Sequence, residues 1–136
     1  MVPDAPSGGI TILVVEDDEG VREVIVGMLA DLGYRTLVAR TGPEALKLLE
    51  REKGIDLLFT DVIMPGGISG VELARTARRL QPELKILVTS GYTRAEPDMA
   101  AARREFPFLA KPYRLQLLGR KLKEILAGDA SVRSPA

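Results

Sequence analysis

Histidine and cysteine are both missing from the 136-residue chain. Without cysteine there is no disulfide framework and no thiolate metal site. Without histidine there is no internal imidazole base, no imidazole metal ligand and no self-contained phosphohistidine. Acid–base or metal chemistry is left to carboxylates, hydroxyls, lysines and backbone groups. A prevailing charge is missing too: Lys+Arg and Asp+Glu each number 19, so the formal net charge is zero. That balance gives no electrostatic case for nucleic acid or an anionic membrane, and neither is expected as a partner. No apolar run approaches the roughly 18 residues of a membrane helix. Met1 to Gly9 also lack the basic start and apolar stretch of a secretion signal. A cytoplasmic location is the expectation.

What remains is an apolar fraction of 46%, typical of a globular fold. The length suits one domain burying about two-thirds of its unfolded surface. Ile10 to Val15 is a continuous apolar run, which reads as a strand buried on both faces. Val21, Val24, Ile25, Met28, Leu29 and Leu32 then recur at helical spacing, with Gly33 placed to stop the helix. Tyr34 to Ala39 reads as a second strand, and Thr41 with Glu44 as a capping box for a helix carrying Ala45, Leu48 and Leu49. Leu57 to Thr60 is a third strand that delivers Asp61 at its end. Ser69 and Glu72 open a helix burying Leu73, Ala77 and Leu80, which Pro82 stops. Ile86 to Val88 forms a fourth strand running into Thr89, Ser90 and Gly91. Thr93 to Glu105 has little apolar periodicity and reads as one short, weakly packed helix. Phe108 to Ala110 is a fifth strand, and Leu115, Leu118, Leu122 and Ile125 stripe a closing helix.

Five strands alternating with five helices imply an α/β fold, a parallel sheet covered on both sides. Connections of this kind are right-handed, and ligands gather at the carboxyl ends of the strands. Every unusual polar residue falls at such an end: Glu16, Asp17 and Asp18, then Asp61, then Ser90, then Lys111. Carboxylates brought together raise one another's pKa values, and a divalent cation relieves the repulsion. An all-oxygen donor set selects a hard ion, of which Mg²⁺ fits best beside an incoming phosphoryl group. The cation would let an aspartate attack phosphorus despite the charge on both partners. Ser90 and Lys111 offer a hydroxyl and an ammonium to the resulting aspartyl phosphate. Asp18, directly before the first helix, is more cheaply explained as an N-cap. An acid finishing a buried strand, as Glu16 and Asp17 do, needs a partner.

The order Glu16-Asp17, Asp61 with Met64-Pro65, Ser90-Gly91 and Lys111-Pro112 resembles the receiver domains of two-component response regulators. The resemblance spans Gly9 to Ala127. It implies a flavodoxin-like, doubly wound five-stranded sheet of order 2-1-3-4-5 with five helices. Residues 10–127 would form the receiver domain, between a flexible segment 1–9 and a flexible tail 128–136. Asp61 resembles the phosphoacceptor, Ser90 the switch hydroxyl, Lys111 the phosphate-binding lysine and Phe108 the switch aromatic. Glu16, Asp17 and Asp61, with the backbone carbonyl of Ile63, resemble the Mg²⁺ ligands. The acid pair could instead be Asp17 and Asp18; the separation of Asp17 from Asp61 favours Glu16 and Asp17. The Lys111–Pro112 bond is expected to be cis. Thr89-Ser90-Gly91-Tyr92 resembles receivers attached to hybrid histidine kinases, and bulky Ile63 and Tyr92 are expected to slow hydrolysis of the phosphoryl group.

The function so implied is a phosphoacceptor switch in a phosphorelay, not an enzyme. A partner histidine kinase or histidine phosphotransfer protein would supply the phosphoryl group. The face of the fourth helix, fifth strand and fifth helix would change in response. With no room for an output domain, the chain would act through an unidentified downstream partner or belong to a larger protein. Two other readings compete. A haloacid-dehalogenase-like phosphatase would carry its nucleophile in Asp-x-Asp-x-Thr after the first strand, where this chain has Glu16-Asp17-Asp18-Glu19. A pseudo-receiver would work without phosphorylation, which the complete set of acids, hydroxyl and lysine argues against.

Overall fold

The computed structural model describes residues 9–62, 68–90 and 97–128, without the side chains of residues 97–99 and 101. Ile63, Met64, Pro65, Gly91 and Tyr92, and the terminal segments apart from Gly9 and Gly128, lie outside the described residues. Five strands alternate with five helices: β1 (Thr11–Val15), α1 (Glu19–Asp31), β2 (Arg35–Ala39), α2 (Gly42–Arg51), β3 (Leu57–Asp61), α3 (Gly70–Leu80), β4 (Lys85–Ser90), α4 (Pro97–Glu105), β5 (Phe108–Ala110) and α5 (Leu115–Leu126). The strands form one parallel sheet in the order β2-β1-β3-β4-β5, as the resemblance implied.

The continuous apolar runs are strands because both faces of the sheet are covered. Leu13, Val15, Leu58, Ile86 and Val88 pack with Ala45 and Leu49 of α2 and Leu73 and Ala77 of α3. Their neighbours Ile12, Val14, Leu57, Phe59 and Leu87 turn the other way, onto Ile25 and Leu29 of α1 and Leu118 and Leu122 of α5. Each of these leucines, fully buried, contributes roughly 1.5–3 kcal/mol relative to exposure.

The helix ends follow their local chemistry. Asp18 accepts from the Val21 amide at 2.9 Å and so caps α1. Gly33, with φ of 95°, donates to Ala30 while Tyr34 donates to Leu29, which closes α1 with paired C-terminal bonds. Thr41 accepts from Glu44 and Ser69 from Glu72, each at 3.2 Å. The return contact of Glu44 reaches the Arg40 amide, one residue before the cap. The Lys111–Pro112 peptide is cis.

Two apolar positions differ from expectation. Val24 is 62% exposed, because α1 buries only the stripe of Ile25 and Leu29 and Val24 falls beside it. Leu80 is 45% exposed, since it ends α3 past Ala77, the last buried position. The weak helix is present as α4 from Pro97; residues 93–96 lie outside the described residues. Its packing is partly polar: the Arg75 guanidinium pairs with the Glu105 carboxylate, with Nε 2.9 Å from Oε1, joining α3 to the end of α4.

Candidate functional site

Sheet register assembles the site. Val15 pairs with Thr60, so Glu16 emerges beside Asp61. Asp61 pairs with Thr89, the neighbour of Ser90. The Lys111 amide donates to the Ser90 carbonyl at 2.9 Å, which carries Lys111 to the same edge. Segments distant in sequence therefore converge at the carboxyl ends of β1, β3, β4 and β5.

Lys111 is the centre of the cluster. Its Nζ lies 2.9 Å from Asp61 Oδ2 and 3.5 Å from Glu16 Oε1. The first contact is a charge-assisted hydrogen bond, whereas the second is an ion pair at the limit of bonding distance. Burial would drive the ammonium pKa down, but the Asp61 hydrogen bond and the charges of Asp61 and Glu16 outweigh it and hold the pKa above the ordinary lysine value.

Glu16 is 5% exposed. Its Oε2 accepts from the Asp18 amide at 3.1 Å, and its carbonyl accepts from Arg22 at 2.9 Å. Burial pushes its carboxyl pKa up; the Asp18 amide and Lys111 pull against that, while the charges of Asp61 and Asp17 reinforce it. Glu16 Oε1 is buried and makes no hydrogen bond, its one charged neighbour among the described contacts being the Lys111 ammonium at 3.5 Å. A buried acceptor short of donors, beside a second carboxylate, suits a hard cation in its donor chemistry. Among the described residues, however, no group of three or more Asp, Glu, His or Cys side chains is arranged to hold a metal ion. Asp17 is exposed, and Ile63 lies outside the described residues.

Asp61 is held from behind. Thr60 Oγ1 donates to the Asp61 carbonyl at 3.0 Å, and the Gly70 amide donates to the Val62 carbonyl at 2.7 Å. A Cβ on Gly70 would overlap the Asp61 carbonyl oxygen and come within 2.8 Å of its carbon. Gly70 therefore lets the start of α3 close against the backbone of the candidate phosphoacceptor.

Ser90 is buried at the end of β4, with its carbonyl engaged by Lys111. Phe108 is half-buried, and the Arg103 guanidinium lies 4.7 Å from its ring centre. Three features were not read from the sequence: Gly70, Arg103 and Tyr113. Tyr113 packs its ring 6.3 Å from Phe59, and burial, with the charges of Glu16 and Asp61, raises its pKa well above that of an ordinary tyrosine. Ser69 before Gly70 marked a helix start, yet nothing local announced the approach of Asp61.

The family model of the response regulator receiver domain matches residues 12–123. The chain is 35% identical over 117 residues to the response regulator receiver protein CpdR of Brucella abortus (strain 2308), covering 85% of this chain and 95% of CpdR. It is 39% identical over 124 residues to the sensor kinase CckA of the same organism, covering 88% of this chain but only 13% of the kinase. The solved receiver domain from hybrid histidine kinase CckA superposes with a TM-score of 0.70 at 38% identity, over 85% of this chain and 98% of that one. The response regulator TrrA from Thermotoga maritima, solved in complex with Mg²⁺-BeF, gives a TM-score of 0.73 at 32% identity, over 85% and 98% of the two chains. Among the described residues no helix is long and apolar enough to cross a membrane. Matched along most of its length, and with its acids and lysine at one sheet edge, this chain belongs to the response regulator receiver domains of two-component systems.

Proposed function

We propose that the chain is a phosphorylation switch in which Asp61 accepts a phosphoryl group from the phosphohistidine of a partner kinase or phosphotransfer protein. The observation that carries this reading is the Lys111 ammonium, 2.9 Å from Asp61 Oδ2 and 3.5 Å from Glu16 Oε1. An Asp61 oxygen forms the new bond to phosphorus while the P–N bond breaks. The electron pair leaves with the imidazole nitrogen. Lys111, already at the attacking carboxylate, is placed to follow the negative charge onto the phosphoryl oxygens.

Glu16, Asp17 and Asp61, with the carbonyl of Ile63, would hold Mg²⁺, which supplies charge neutralisation around the phosphoryl group. TrrA, solved with Mg²⁺-BeF, supports that donor chemistry by likeness. The Ser90 hydroxyl hydrogen-bonds the phosphoryl group once it is in place. Phe108 turns into the space that the Ser90 side chain vacates as it moves to the phosphoryl group, altering the face of α4, β5 and α5. Making a mostly-off switch mostly on takes about 5.5 kcal/mol of preference between states. Charge-assisted hydrogen bonds at about 1.5–3 kcal/mol each make that attainable. The domain, residues 10–127, is regulatory, and its only chemistry is its own phosphorylation and dephosphorylation.

The experiment is incubation with Mg²⁺ and a small phosphodonor, followed by intact mass. A single phosphoryl adduct is expected in the wild type and none in Asp61→Asn. An adduct that persists in Asp61→Asn removes Asp61 from its role, and multiple turnovers of a phosphomonoester would make the chain a phosphatase instead.

A further inference from the structure

Away from the acid cluster, β2 ends the sheet, and among the described residues its outer edge is unpaired. The Arg35 amide donates to the Ile10 carbonyl, and the Ala39 carbonyl accepts from the Glu16 amide. Arg35, Leu37 and Ala39 therefore turn their backbone groups toward β1. Alternate residues of a parallel strand face opposite edges, so the N–H and C=O of Thr36 and Val38 point outward. The next amide in that series, Arg40, is taken by the Glu44 carboxylate.

This edge borders a groove of about 790 Å³ whose other wall is α2. Pro43 and Leu48 supply apolar surface on the α2 side. Val38, 45% exposed and paired with Val14 of the opposite core, lines the strand edge and turns its side chain to the other face of the sheet. Arg40, Lys47 and Arg51 supply three cations. The two acids lining it are Asp17 and Glu44, and Glu44 is engaged by the Arg40 amide. An edge with open hydrogen-bonding groups, an exposed β-branched side chain and flanking cations is equipped to receive another strand.

We propose that the β2 edge and the α2 wall form a docking groove for an extended acidic segment of a partner protein, which adds to the sheet as a further strand. Backbone bonds to Thr36 and Val38 hold the segment. Its side chains alternate between the side of the sheet that carries Val38 and the α2 side, where Leu48 and the cations lie. A second copy of this chain fits less well, because pairing two β2 edges brings Arg40, Lys47 and Arg51 of both copies together. Nucleic acid would make no use of the strand edge or of Val38. The inference does not rest on Asp61 accepting phosphate, and its test contains no phosphodonor.

The probe is the blocked hexapeptide Glu-Val-Glu-Val-Glu-Val, titrated into the protein and followed by amide NMR and hydrogen exchange. Saturable shifts confined to β2 and α2 are expected, with exchange at Thr36 and Val38 slowed. Val38→Pro removes one outward N–H at an edge position that tolerates proline, and should weaken binding by on the order of tenfold. The double variant Lys47→Glu/Arg51→Glu lies on the helix surface and should weaken it similarly while leaving circular dichroism unchanged. No saturable binding, equal binding of Lys-Val-Lys-Val-Lys-Val, or undiminished binding by the charge-reversed variant overturns the proposal. A concentration-dependent dimer lost in Val38→Pro would give the edge to a second copy and overturn it as well.

Discussion

Lys111 Nζ bridges Asp61 Oδ2 at 2.9 Å and Glu16 Oε1 at 3.5 Å, tying the end of β5 to the ends of β3 and β1. The bridge is partly shielded, since Lys111 is 21% exposed at its side chain and Glu16 6%. It balances two carboxylates that would otherwise face each other, and in the proposed reaction the same ammonium meets the phosphoryl oxygens.

Replacing Lys111 with Met keeps the stem of the side chain and deletes the charge. Loss of a charge-assisted contact of about 1.5–3 kcal/mol should slow adduct formation on Asp61 by roughly ten- to a hundredfold. The rate from a small phosphodonor, read by intact mass, checks this. A wild-type rate would take Lys111 out of the transfer step.

Glu16 makes a prediction with a definite sign. Its folded-state pKa is raised, chiefly by burial, so the folded protein binds this proton more readily than the unfolded chain. The associated stability is present below the unfolded value of 4.5 and is lost as pH rises through the folded value. At neutral pH the buried charge is therefore a cost, and Glu16→Gln should raise the melting temperature in chelator. Toward pH 4 the gain should vanish. Thermal unfolding of both proteins at the two pH values measures the difference.

Gly70 has no room for a methyl group, given the overlap with the Asp61 carbonyl. Gly70→Ala must push the start of α3 off the end of β3, which breaks the 2.7 Å bond to Val62. A loss of about 1–3 kcal/mol is expected by urea unfolding. Adduct formation should fall even where the protein is fully folded.

Alkaline stability should be limited by two phenols. Tyr34 is raised by burial, and Tyr113 by burial together with the charges of Glu16 and Asp61. Raised values mean that their contribution is complete below the ordinary tyrosine pKa of 10.0 and is lost as pH climbs through the folded values. The wild type should lose stability above about pH 10, and the double variant Tyr34→Phe/Tyr113→Phe should lose less. Absorbance titration alongside denaturant midpoints separates ionisation from unfolding.

Much of this protein was legible as a string. The apolar runs ending in Glu16, Asp61 and Ser90 marked strands and their carboxyl ends, because a buried strand is continuous in sequence and its terminal polar residue stands out. The caps at Asp18, Thr41 and Ser69 were readable for the same reason: a cap acts within three residues. Exposure of Val24 and Leu80 was not, since helical spacing shows which residues share a face but not how wide a stripe the sheet covers. Nor was the contact of Gly70 with Asp61, the ring of Phe108 beneath Arg103, or the open edge of β2 above its cations. Those relations join groups whose separation is set by register and packing. The sequence determined which chemical groups stand at the strand ends; only the folded sheet decided that Lys111 lies between Asp61 and Glu16, because burial and parallel pairing bring together what the chain keeps apart.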